Sequence, residues 1–293
     1  MIIDGHSHLF QARWPCDNLP QNVDVLGEVD WQSLVAGLSE IGVEKVVTLA
    51  QEMTRVWDAW LGSNKLAADL QRKCPEQILG VAGAEALDKQ DKFNAARLKE
   101  VETSVREHRL RGLLLTPPYG HYFANDKRVY PFYQKAVELD IPIYFHQAAQ
   151  FGETVLAPMK YARPWLLDDI VIDFPDLRIN VEHMGYPWTE ELIAVMAHAP
   201  NVYTDISALF RRPTVLAWNL VLAKEYGVIN RVIYGTDYVG SDIRHYLQQL
   251  KDEVEYCRVE INKTLKRSGW PTLTEEEIDG MLGGNVARFL KIT

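Results

Sequence analysis

The stretch MIIDGHSH, residues 1–8, places two histidines directly after a short apolar run. The run at 2–4 has the composition of a buried strand, and residues two apart on a strand point to the same face. His6 and His8 can therefore direct both imidazoles at one metal ion. The fold can be predicted if the rest of the chain repeats this combination of an apolar strand followed by polar residues.

Seven further β-rich apolar runs follow, at residues 45–50, 78–84, 112–116, 141–146, 178–183, 202–206 and 231–235. They are continuously apolar, as expected of strands covered on both faces of a parallel sheet. Helical patterns lie between them, at residues 31–41, 95–108, 129–139 and 213–226. Eight strands alternating with helices predict an α/β fold, the (β/α)8 TIM barrel, for which about 250 residues are typical.

The remaining length falls in two places. A long first loop occupies 11–30, and a helical C-terminal extension occupies 241–293, where Pro271 and the acidic run after Thr274 separate the last two helices. A doubly wound sheet is the alternative fold, but no GxGxxG follows the first strand. Because no linker rich in Pro, Gly or Ser interrupts the chain, we expect 1–293 to form a single domain.

The composition is that of an ordinary soluble globular protein. Of 293 residues, 47% are apolar and 24% are charged, and the formal net charge is −9. That acidic balance, without a block of Lys and Arg, does not suit nucleic acid or anionic lipid. No apolar run reaches the roughly 18 residues of a membrane span. We therefore expect neither nucleic acid nor a membrane as partner.

The cysteines and the N-terminus indicate a cytoplasmic protein. Cys16, Cys74 and Cys257 lie far apart and form no CxxC pair, which disfavours a disulfide framework and a thiolate zinc site. The sequence MIIDGHSHLF has neither the basic nor the apolar region of a signal peptide. The helical C-terminal region and eight tryptophans are compatible with a homodimer.

Four histidines and one aspartate stand at the ends of predicted strands. His6 and His8 belong to the first, His146 ends IPIYFH, His183 ends RINVEH, and Asp237 follows RVIYGT. In a TIM barrel the carboxyl ends of the strands build the active site. A single histidine at a strand end is more often a packed residue than a ligand. The joint pattern predicts one divalent metal ion with an open position for water, with His183 beside it.

These motifs resemble the amidohydrolase superfamily. The resemblance rests on residues 4–8 (DGHSH), 145–146 (FH), 181–185 (VEHMG) and 234–237 (YGTD), and on a closing motif at 283–290 (GGNVARFL). They are similar to the branch that includes aminocarboxymuconate-semialdehyde decarboxylase. The resemblance implies a β/α barrel in which the metal ligands are His6, His8, His146 and Asp237. It also implies that His183 is a catalytic residue next to the metal.

A single metal ion is expected. Superfamily members with two metals bridge them with a carboxylated Lys or a Glu at strand four, where this chain reads RGLLLTPP at 111–118 and offers neither. A two-metal phosphodiesterase or nuclease is therefore disfavoured. Three imidazoles and a carboxylate suit Zn²⁺ best, with Mn²⁺ or Fe²⁺ as the alternatives.

The loops after the predicted strands suggest a substrate. Arg211 and Arg212 follow strand seven, and a guanidinium group clamps a planar carboxylate by two hydrogen bonds. Tyr119 and His121 after strand four and Trp188 after strand six would complete a pocket for a small carboxylate. The alternative interpretation makes one or both arginines surface residues that cap neighbouring groups.

The sequence favours hydrolysis of a lactone or a related C–O or C–N bond by a metal-activated water. Asp237 would be the general base, and His183 would orient the carbonyl group or shuttle a proton. The runner-up is a non-oxidative decarboxylase of an unsaturated or aromatic acid. Many aromatic-acid decarboxylases of the branch that this chain resembles have Glu-x-His on the first strand, whereas this chain has His-x-His. A catalytically silent barrel is the third hypothesis, to be tested by metal analysis.

Overall fold

The computed structural model describes residues 1–9, 31–150 and 157–292. Its strands are β1 (Ile2–His8), β2 (Val43–Leu49), β3 (Gln51–Met53), β4 (Ala59–Leu61), β5 (Ile78–Ala84), β6 (Leu113–Leu115), β7 (Ile143–Phe145), β8 (Ile179–Val181), β9 (Val202–Asp205), β10 (Val232–Ile233) and β11 (Tyr238–Val239). Its α-helices are α1 (Trp31–Ile41), α2 (Thr54–Trp57), α3 (Asn64–Lys73), α4 (Ala95–Arg106), α5 (Pro117–Gly120), α6 (Tyr130–Glu138), α7 (Asp168–Asp173), α8 (Thr189–His198), α9 (Pro213–Glu225), α10 (Ile243–Glu255), α11 (Ile261–Arg267), α12 (Glu275–Asp279) and α13 (Asn285–Leu290).

Nine strands form one parallel sheet that curls into a barrel. Their order is β10-β9-β8-β7-β6-β5-β2-β1-β11, and β10 and β11 are two pieces of the eighth barrel strand. The barrel closes where the Gly5 N–H donates to Tyr234 O at 2.9 Å and the Asp237 N–H donates to His6 O at 2.9 Å. The predicted TIM barrel is confirmed.

Two glycines allow this closure. A Cβ atom on Gly5 would lie 2.5 Å from Ile233 Cγ2, and one on Gly235 would lie 2.6 Å from His6 Cβ. Both distances are shorter than any side chain tolerates, so β1 and the eighth strand approach each other only because neither position carries a side chain. The motifs DGHSH and YGTD thus supply polar residues and the close contact between their strands.

The C-terminal helix closes the amino end of the barrel. Inside the barrel, apolar side chains of the strands pack against Val286 and Phe289 of α13, and the rings of Tyr144 and Phe289 lie 5.3 Å apart. The Asn285 side chain donates to Val232 O at 2.6 Å, and the Arg178 guanidinium donates to Phe289 O. This packing leaves the carboxyl ends of the strands as the open end of the barrel.

Most predicted elements are present, with shifted ends. The helix at 31–41 has the predicted bounds, and the capping box of Thr274 and Glu277 starts α12. The first strand spans Ile2–His8 and so carries both histidines predicted to lie on it, because its main chain continues to pair with β2 and β11 beyond the apolar run at 2–4. The antiparallel hairpin of β3 and β4 was not predicted, since three-residue strands carry no periodic signal.

Some expectations fall outside the described residues. The predicted first loop at 11–30 and Cys16 are among them, whereas Cys74 and Cys257 are buried free thiols. None of the helices in the described ranges has the length and apolar character needed to cross a membrane.

Candidate active site

The two histidines of β1 point into the open end of the barrel together. Both are buried, and their Nε2 atoms lie 3.3 Å apart. Asp237 reaches the same point from the break in the eighth strand, with its Oδ1 atom 3.4 Å from His6 Nε2 and 3.7 Å from His8 Nε2. These three ligand atoms lie close enough together to hold one metal ion.

His146 and His183 reach the same region from β7 and β8. The ring centroid of His183 lies 5.4 Å from that of His6 and 5.1 Å from that of His146. His146, His183 and Glu182 form a second set of ligand atoms close enough to hold an ion. The five site residues predicted from strand ends are therefore brought together by the barrel.

All four histidines are held in the same tautomer. Each Nδ1 atom lies within hydrogen-bond distance of a carbonyl or carboxylate oxygen, which can only accept, so Nδ1 carries the proton. The pairs are His6 with Asp205 (3.1 Å), His8 with Leu49 O (2.9 Å), His146 with Glu182 (2.8 Å) and His183 with Ser207 O (3.2 Å). In the neutral imidazole the Nε2 atom is then an acceptor, the arrangement that metal-ligating histidines show.

Glu182 is a site residue that the sequence analysis missed. Its Oε2 atom accepts from His146, and its Oε1 atom, 3.7 Å from His6 Nε2, is buried without a hydrogen bond from the described residues. The Nε2 atom of His146 is also buried without a hydrogen bond from the described residues. Buried polar atoms without a hydrogen-bond partner are costly in free energy. The nitrogen lone pair of His146 and the anionic oxygen of Glu182 would both be satisfied by a cation bound between them. The available signal was its position next to His183 in VEHMG.

Asp205, at the end of β9, is hydrogen-bonded to both His6 and His183. Its carboxylate accepts from His6 Nδ1, from the Asn180 side chain at 2.7 Å and from the His183 N–H at 3.0 Å. It also accepts from the Ser207 hydroxyl. Burial alone would raise the pKa of Asp205, but His6 and these donors hold it below the ordinary value. A single buried carboxylate thus orients both His6 and the segment that carries His183.

Negative charge collects around His6. Burial by itself lowers the pKa of His6, but the carboxylates of Glu182 and Asp205 outweigh burial and raise this pKa to about 10. Burial and the neighbouring His6 lower the pKa of His8 to about 3. Burial raises the pKa of Asp237 to about 6. The cluster therefore favours a positive charge at His6 Nε2, which either a proton or a divalent cation provides.

Two parts of the site have an unusual backbone. His183 and Met184 have φ values of 57° and 52°, and Asp237 has a φ value of 52°. Left-handed conformations of residues other than glycine cost about 1–3 kcal/mol each and occur mainly at functional sites. At Asp237 the conformation is held by the hydrogen bond from its N–H to His6 O.

A cavity of about 580 Å³ opens above this cluster. His8, His146, Glu182, His183 and Asp237 line it at the barrel end. Further lining residues are Gln51, Met53, Leu61, Tyr119, Ala208, Phe210, Arg211, Arg212, Thr236, Tyr238, Val239, His245, Gln249 and Glu253. The cavity is large enough for a small organic molecule.

The predicted substrate-binding residues divide into two groups. Tyr119, Arg211 and Arg212 line the cavity; Arg211 is exposed, and Arg212 is half-buried and donates to Ala208 O at 3.1 Å. His121 and Trp188 are not among the described residues that line it. His121 stacks on Tyr161 with centroids 6.2 Å apart, and Trp188 lies against the Arg163 guanidinium at 5.1 Å. The predicted roles of these two residues remain predictions.

Two further walls were not predicted. The β3–β4 hairpin supplies Gln51, Met53 and Leu61, and α10 supplies His245, Gln249 and Glu253. His245 is exposed and also lines the cavity. The C-terminal extension therefore builds part of the site as well as closing the far end of the barrel.

A family model described as amidohydrolase matches residues 3–292. The chain belongs to the amidohydrolase family, as the strand-end motifs predict. A curated 2-keto-4-carboxy-3-hexenedioate hydratase from Sphingobium sp. is 32% identical over 204 residues. That match covers 61% of this chain and 58% of the hydratase.

Two solved structures share the fold. A probable 2-pyrone-4,6-dicarboxylic acid hydrolase from Acinetobacter baumannii, solved with citric acid bound, aligns with a TM-score of 0.66 at 15% identity, over 99% of both chains. A dihydroxybenzoic acid decarboxylase from Polaromonas sp., with bound manganese and 2-nitroresorcinol, aligns with a TM-score of 0.58 at 19% identity. The second alignment covers 93% of this chain and 89% of the other.

Proposed function

We propose that this amidohydrolase-family enzyme hydrolyses a C–O or C–N bond, such as that of a lactone, in a small carboxylated substrate, with one divalent metal ion. In this proposal the ligands are His6, His8, His146 and Asp237, and the ion is Zn²⁺ or, as the alternative, Mn²⁺. The observation that carries the proposal is the tautomer that these histidines share. Their Nδ1 atoms carry the protons, so their Nε2 atoms are acceptors, and these face the region that also holds the carboxylates of Glu182 and Asp237. No residue of β6 belongs to the candidate ligand groups of the described residues, so those groups contain no counterpart of the strand-four residue that bridges two metal ions in other superfamily members.

The chain's own residues supply the proton transfers. A bound metal ion would acidify a water molecule and polarise the substrate carbonyl group. Asp237, at the edge of the cluster and on the cavity wall, would take a proton from the attacking water. His183 would receive at its Nε2 atom the proton that Asp237 removes from the water, and would pass that proton to the leaving group. Since its Nδ1–H is engaged by Ser207 O, its Nε2 atom is an acceptor, which favours proton shuttling over orienting the carbonyl group.

The substrate class rests on the cavity rim and on the relatives. Arg211 and Arg212 are the guanidinium groups of the cavity lining. Each of the three similar proteins described above is named for a reaction of a small carboxylated compound. An acidic protein would thus bind an anionic substrate through a local positive rim.

Replacing Arg211 by Gln should raise KM by about 10-fold or more with a smaller change in kcat, because a charged hydrogen bond contributes about 1.5–3 kcal/mol. Arg212→Gln should have a similar or smaller effect, since Arg212 also bonds Ala208 O. Steady-state kinetics on the best substrate would measure both changes. Arg267→Gln, an exposed position at the end of α11 outside the cavity lining, is the control. An unchanged KM in both cavity variants would assign the arginines to the surface.

A lyase reaction on the same site is the second candidate. The 32% identical relative is a hydratase, which supports addition of water to a C=C bond, and a decarboxylase shares the fold. Decarboxylation would use the same cluster to hold the substrate while a residue protonates the carbon that loses carbon dioxide.

One panel separates these reactions. The enzyme loaded with Zn²⁺ or Mn²⁺ would be incubated with 2-pyrone-4,6-dicarboxylate, unsaturated keto acids and dihydroxybenzoates, and the products identified by mass spectrometry and a carbon dioxide assay. We expect ring-opened acid without carbon dioxide, and loss of activity on chelation with recovery on adding metal. Carbon dioxide release would favour the decarboxylase, and water addition without bond cleavage the hydratase. Turnover that survives complete metal removal would contradict the proposed mechanism.

A further inference from the structure

The cavity has an apolar wall made by the β3–β4 hairpin and α5. Met53 and Leu61 of the hairpin and Tyr119 of α5 line the cavity, and all three side chains are buried. Together with Ala157 they form a small apolar cluster, which is separate from the two larger cores of the barrel. Met53, Leu61 and Tyr119 are therefore packed against one another at the cavity, where they form its apolar wall.

The pairing of the hairpin shows which of its side chains face the cavity. Glu52 lies between Gln51 and Met53 on β3, and successive side chains of a strand point to opposite faces. Glu52 points away from the cavity, since both of its carboxylate oxygens lie 2.9 Å from Arg97 Nε on α4. Gln51 and Met53 are then on the cavity face, as is Leu61, which pairs with Gln51 across the hairpin.

Polar contacts behind the hairpin hold it in this orientation. Glu52 is buried, and its carboxylate also accepts from the Glu85 N–H at 2.7 Å. The Arg97 guanidinium lies over the ring of Trp60 on β4, 4.9 Å from the ring centroid, and donates to Glu100 at 2.6 Å. The charge of Arg97 is thus engaged by two carboxylates on the far side of the hairpin. These contacts tie both strands of the hairpin to α4, so the apolar wall is a preformed surface.

The apolar wall lies across the cavity from the two arginines. The hairpin follows the second barrel strand, β2, and Tyr119 follows the fourth, β6, so the wall is centred on the third strand, β5. Arg211 and Arg212 follow β9, the seventh strand. In a closed barrel of eight strands, the third and the seventh are four positions apart in both directions and so face each other. The proposed metal ligands His8 and His146 belong to the first and fifth strands, which lie between these two sides, and the ring centroids of Tyr119 and His146 are 5.0 Å apart.

The two sides of the cavity differ in charge. Among the described lining residues, Arg211 and Arg212 are the only Lys or Arg side chains. The polar groups on the side of the apolar wall, the Gln51 amide and the Tyr119 hydroxyl, are uncharged. They can form hydrogen bonds with a neutral group, but they cannot neutralise a carboxylate, and burying a carboxylate without a cation is costly. One end of the cavity therefore suits an anion, and the opposite end suits an uncharged group.

We propose that the β3–β4 hairpin determines the substrate specificity of this cavity, with Met53 and Leu61 binding the uncharged end of a substrate whose carboxylate is held by Arg211 or Arg212. The inference rests on the proposed function and extends it to the substrate class, a monocarboxylate that carries an alkyl group at the end opposite its carboxylate. A second carboxylate at that end would be buried against the apolar wall, which weakens binding. A 2-pyrone with one methyl and one carboxylate group should therefore be a better substrate than 2-pyrone-4,6-dicarboxylate.

Binding of planar ligands without a hydrolysable bond tests the proposal independently of turnover. 3-Methylbenzoate and benzene-1,3-dicarboxylate differ only in whether the second substituent is a methyl group or a carboxylate. Calorimetry on the metal-loaded enzyme should show that 3-methylbenzoate binds about 10-fold or more tightly than the dicarboxylate, because the apolar wall offers no cation to the second carboxylate. Benzoate should bind about 4-fold more weakly than 3-methylbenzoate, since one buried methyl group contributes about that factor.

Substitutions of Leu61 test the assignment to the hairpin. Leu61→Lys places a cation in the apolar wall, so the ratio of the two affinities should shift by about 10-fold or more toward the dicarboxylate. Leu61→Ala should instead reduce the preference for 3-methylbenzoate over benzoate, because the methyl group loses its apolar contact. Ile172→Lys adds the same charge on the exposed surface of α7, outside the described cavity lining, and should keep the parent ratio.

The comparison of two ligands within one protein separates specificity from a general loss of affinity. The parent and Leu61→Ala measurements decide the question even if Leu61→Lys fails to fold. Equal or tighter binding of benzene-1,3-dicarboxylate by the parent enzyme would overturn the proposal, as would the parent ratio in folded Leu61→Lys or an undiminished methyl preference in folded Leu61→Ala. Absence of hydrolysis in the substrate panel would count against the proposed function and leave this binding result standing.

Discussion

Replacing His183 by Asn should lower kcat by about 100-fold or more while the protein keeps its full complement of divalent metal. The loss is the usual contribution of a general acid–base group. Retention of metal is expected because the proposed ligands His6, His8, His146 and Asp237 are unchanged, and because Asp205 still holds His6 through its Nδ1–H. The asparagine amide can still reach Ser207, but it cannot accept and release a proton near neutral pH. Single-turnover kinetics together with elemental analysis of the purified variant would measure both quantities.

The surface of α8 offers a matched control. His198 is exposed and its Nε2 atom lies 2.8 Å from Asp168 Oδ1, so His198→Asn changes the same side chain in a His–carboxylate pair away from the cavity. This control should retain parent turnover. Equal turnover in His183→Asn and His198→Asn would remove His183 from the mechanism. Loss of metal from His183→Asn would instead make His183 a ligand, in line with its place in two of the candidate ligand groups.

Replacing Asp205 by Asn should weaken binding of the divalent ion by about 10–100-fold, the usual effect of removing a carboxylate that orients a metal-binding histidine. The carboxylate accepts simultaneously from His6 Nδ1 and from the His183 N–H, and the asparagine amide cannot reproduce all of these contacts with one oxygen. It would also remove one of the negative charges that offset the burial of His6, leaving those of Glu182 and Asp237. Competition with a fluorescent chelator would give the dissociation constant.

Stability should change together with metal affinity. Breaking a buried charged pair by removing one partner costs about 3–5 kcal/mol, so the metal-free variant should unfold at a lower denaturant concentration than the metal-free parent. Asp168→Asn removes the carboxylate of the exposed pair with His198, and its effect should stay below about 1 kcal/mol. Metal affinity equal to that of the parent in folded Asp205→Asn would show that His6 needs no carboxylate to present its Nε2 atom.

The position of the histidines along the chain could be predicted because strand patterns are local. Apolar runs of three to seven residues define the strands, and the parallel barrel collects all their carboxyl ends on one face. His146 and His183 therefore lie in one site although 36 residues separate them from each other. The His-x-His spacing places both histidines on β1, and pairing with β2 and β11 keeps that strand extended to His8 beyond its apolar run.

The roles of Glu182 and Asp205 required the folded chain. Asp205 lies 199 residues from His6, and its carboxylate reaches the imidazole because only the eighth strand, β10 and β11, separates β9 from β1 in the closed barrel. Nothing in the local sequence VYTDIS distinguishes this carboxylate from a surface one. The contribution of α10 to the cavity wall also required the folded chain, because this helix belongs to a segment that the sequence marks only as helical.

The sequence by itself determined the barrel, the family and the identity of the five residues that the strand ends bring together. These follow from local apolar periodicity and from short motifs, which act over a few residues. The tertiary structure alone decided which nitrogen of each histidine faces the cluster, which carboxylates surround it, and which walls complete the cavity. Those features depend on hydrogen bonds and burial between segments far apart in the chain, such as Tyr246 with Asp4 across 242 residues, and only the closed barrel brings such segments together.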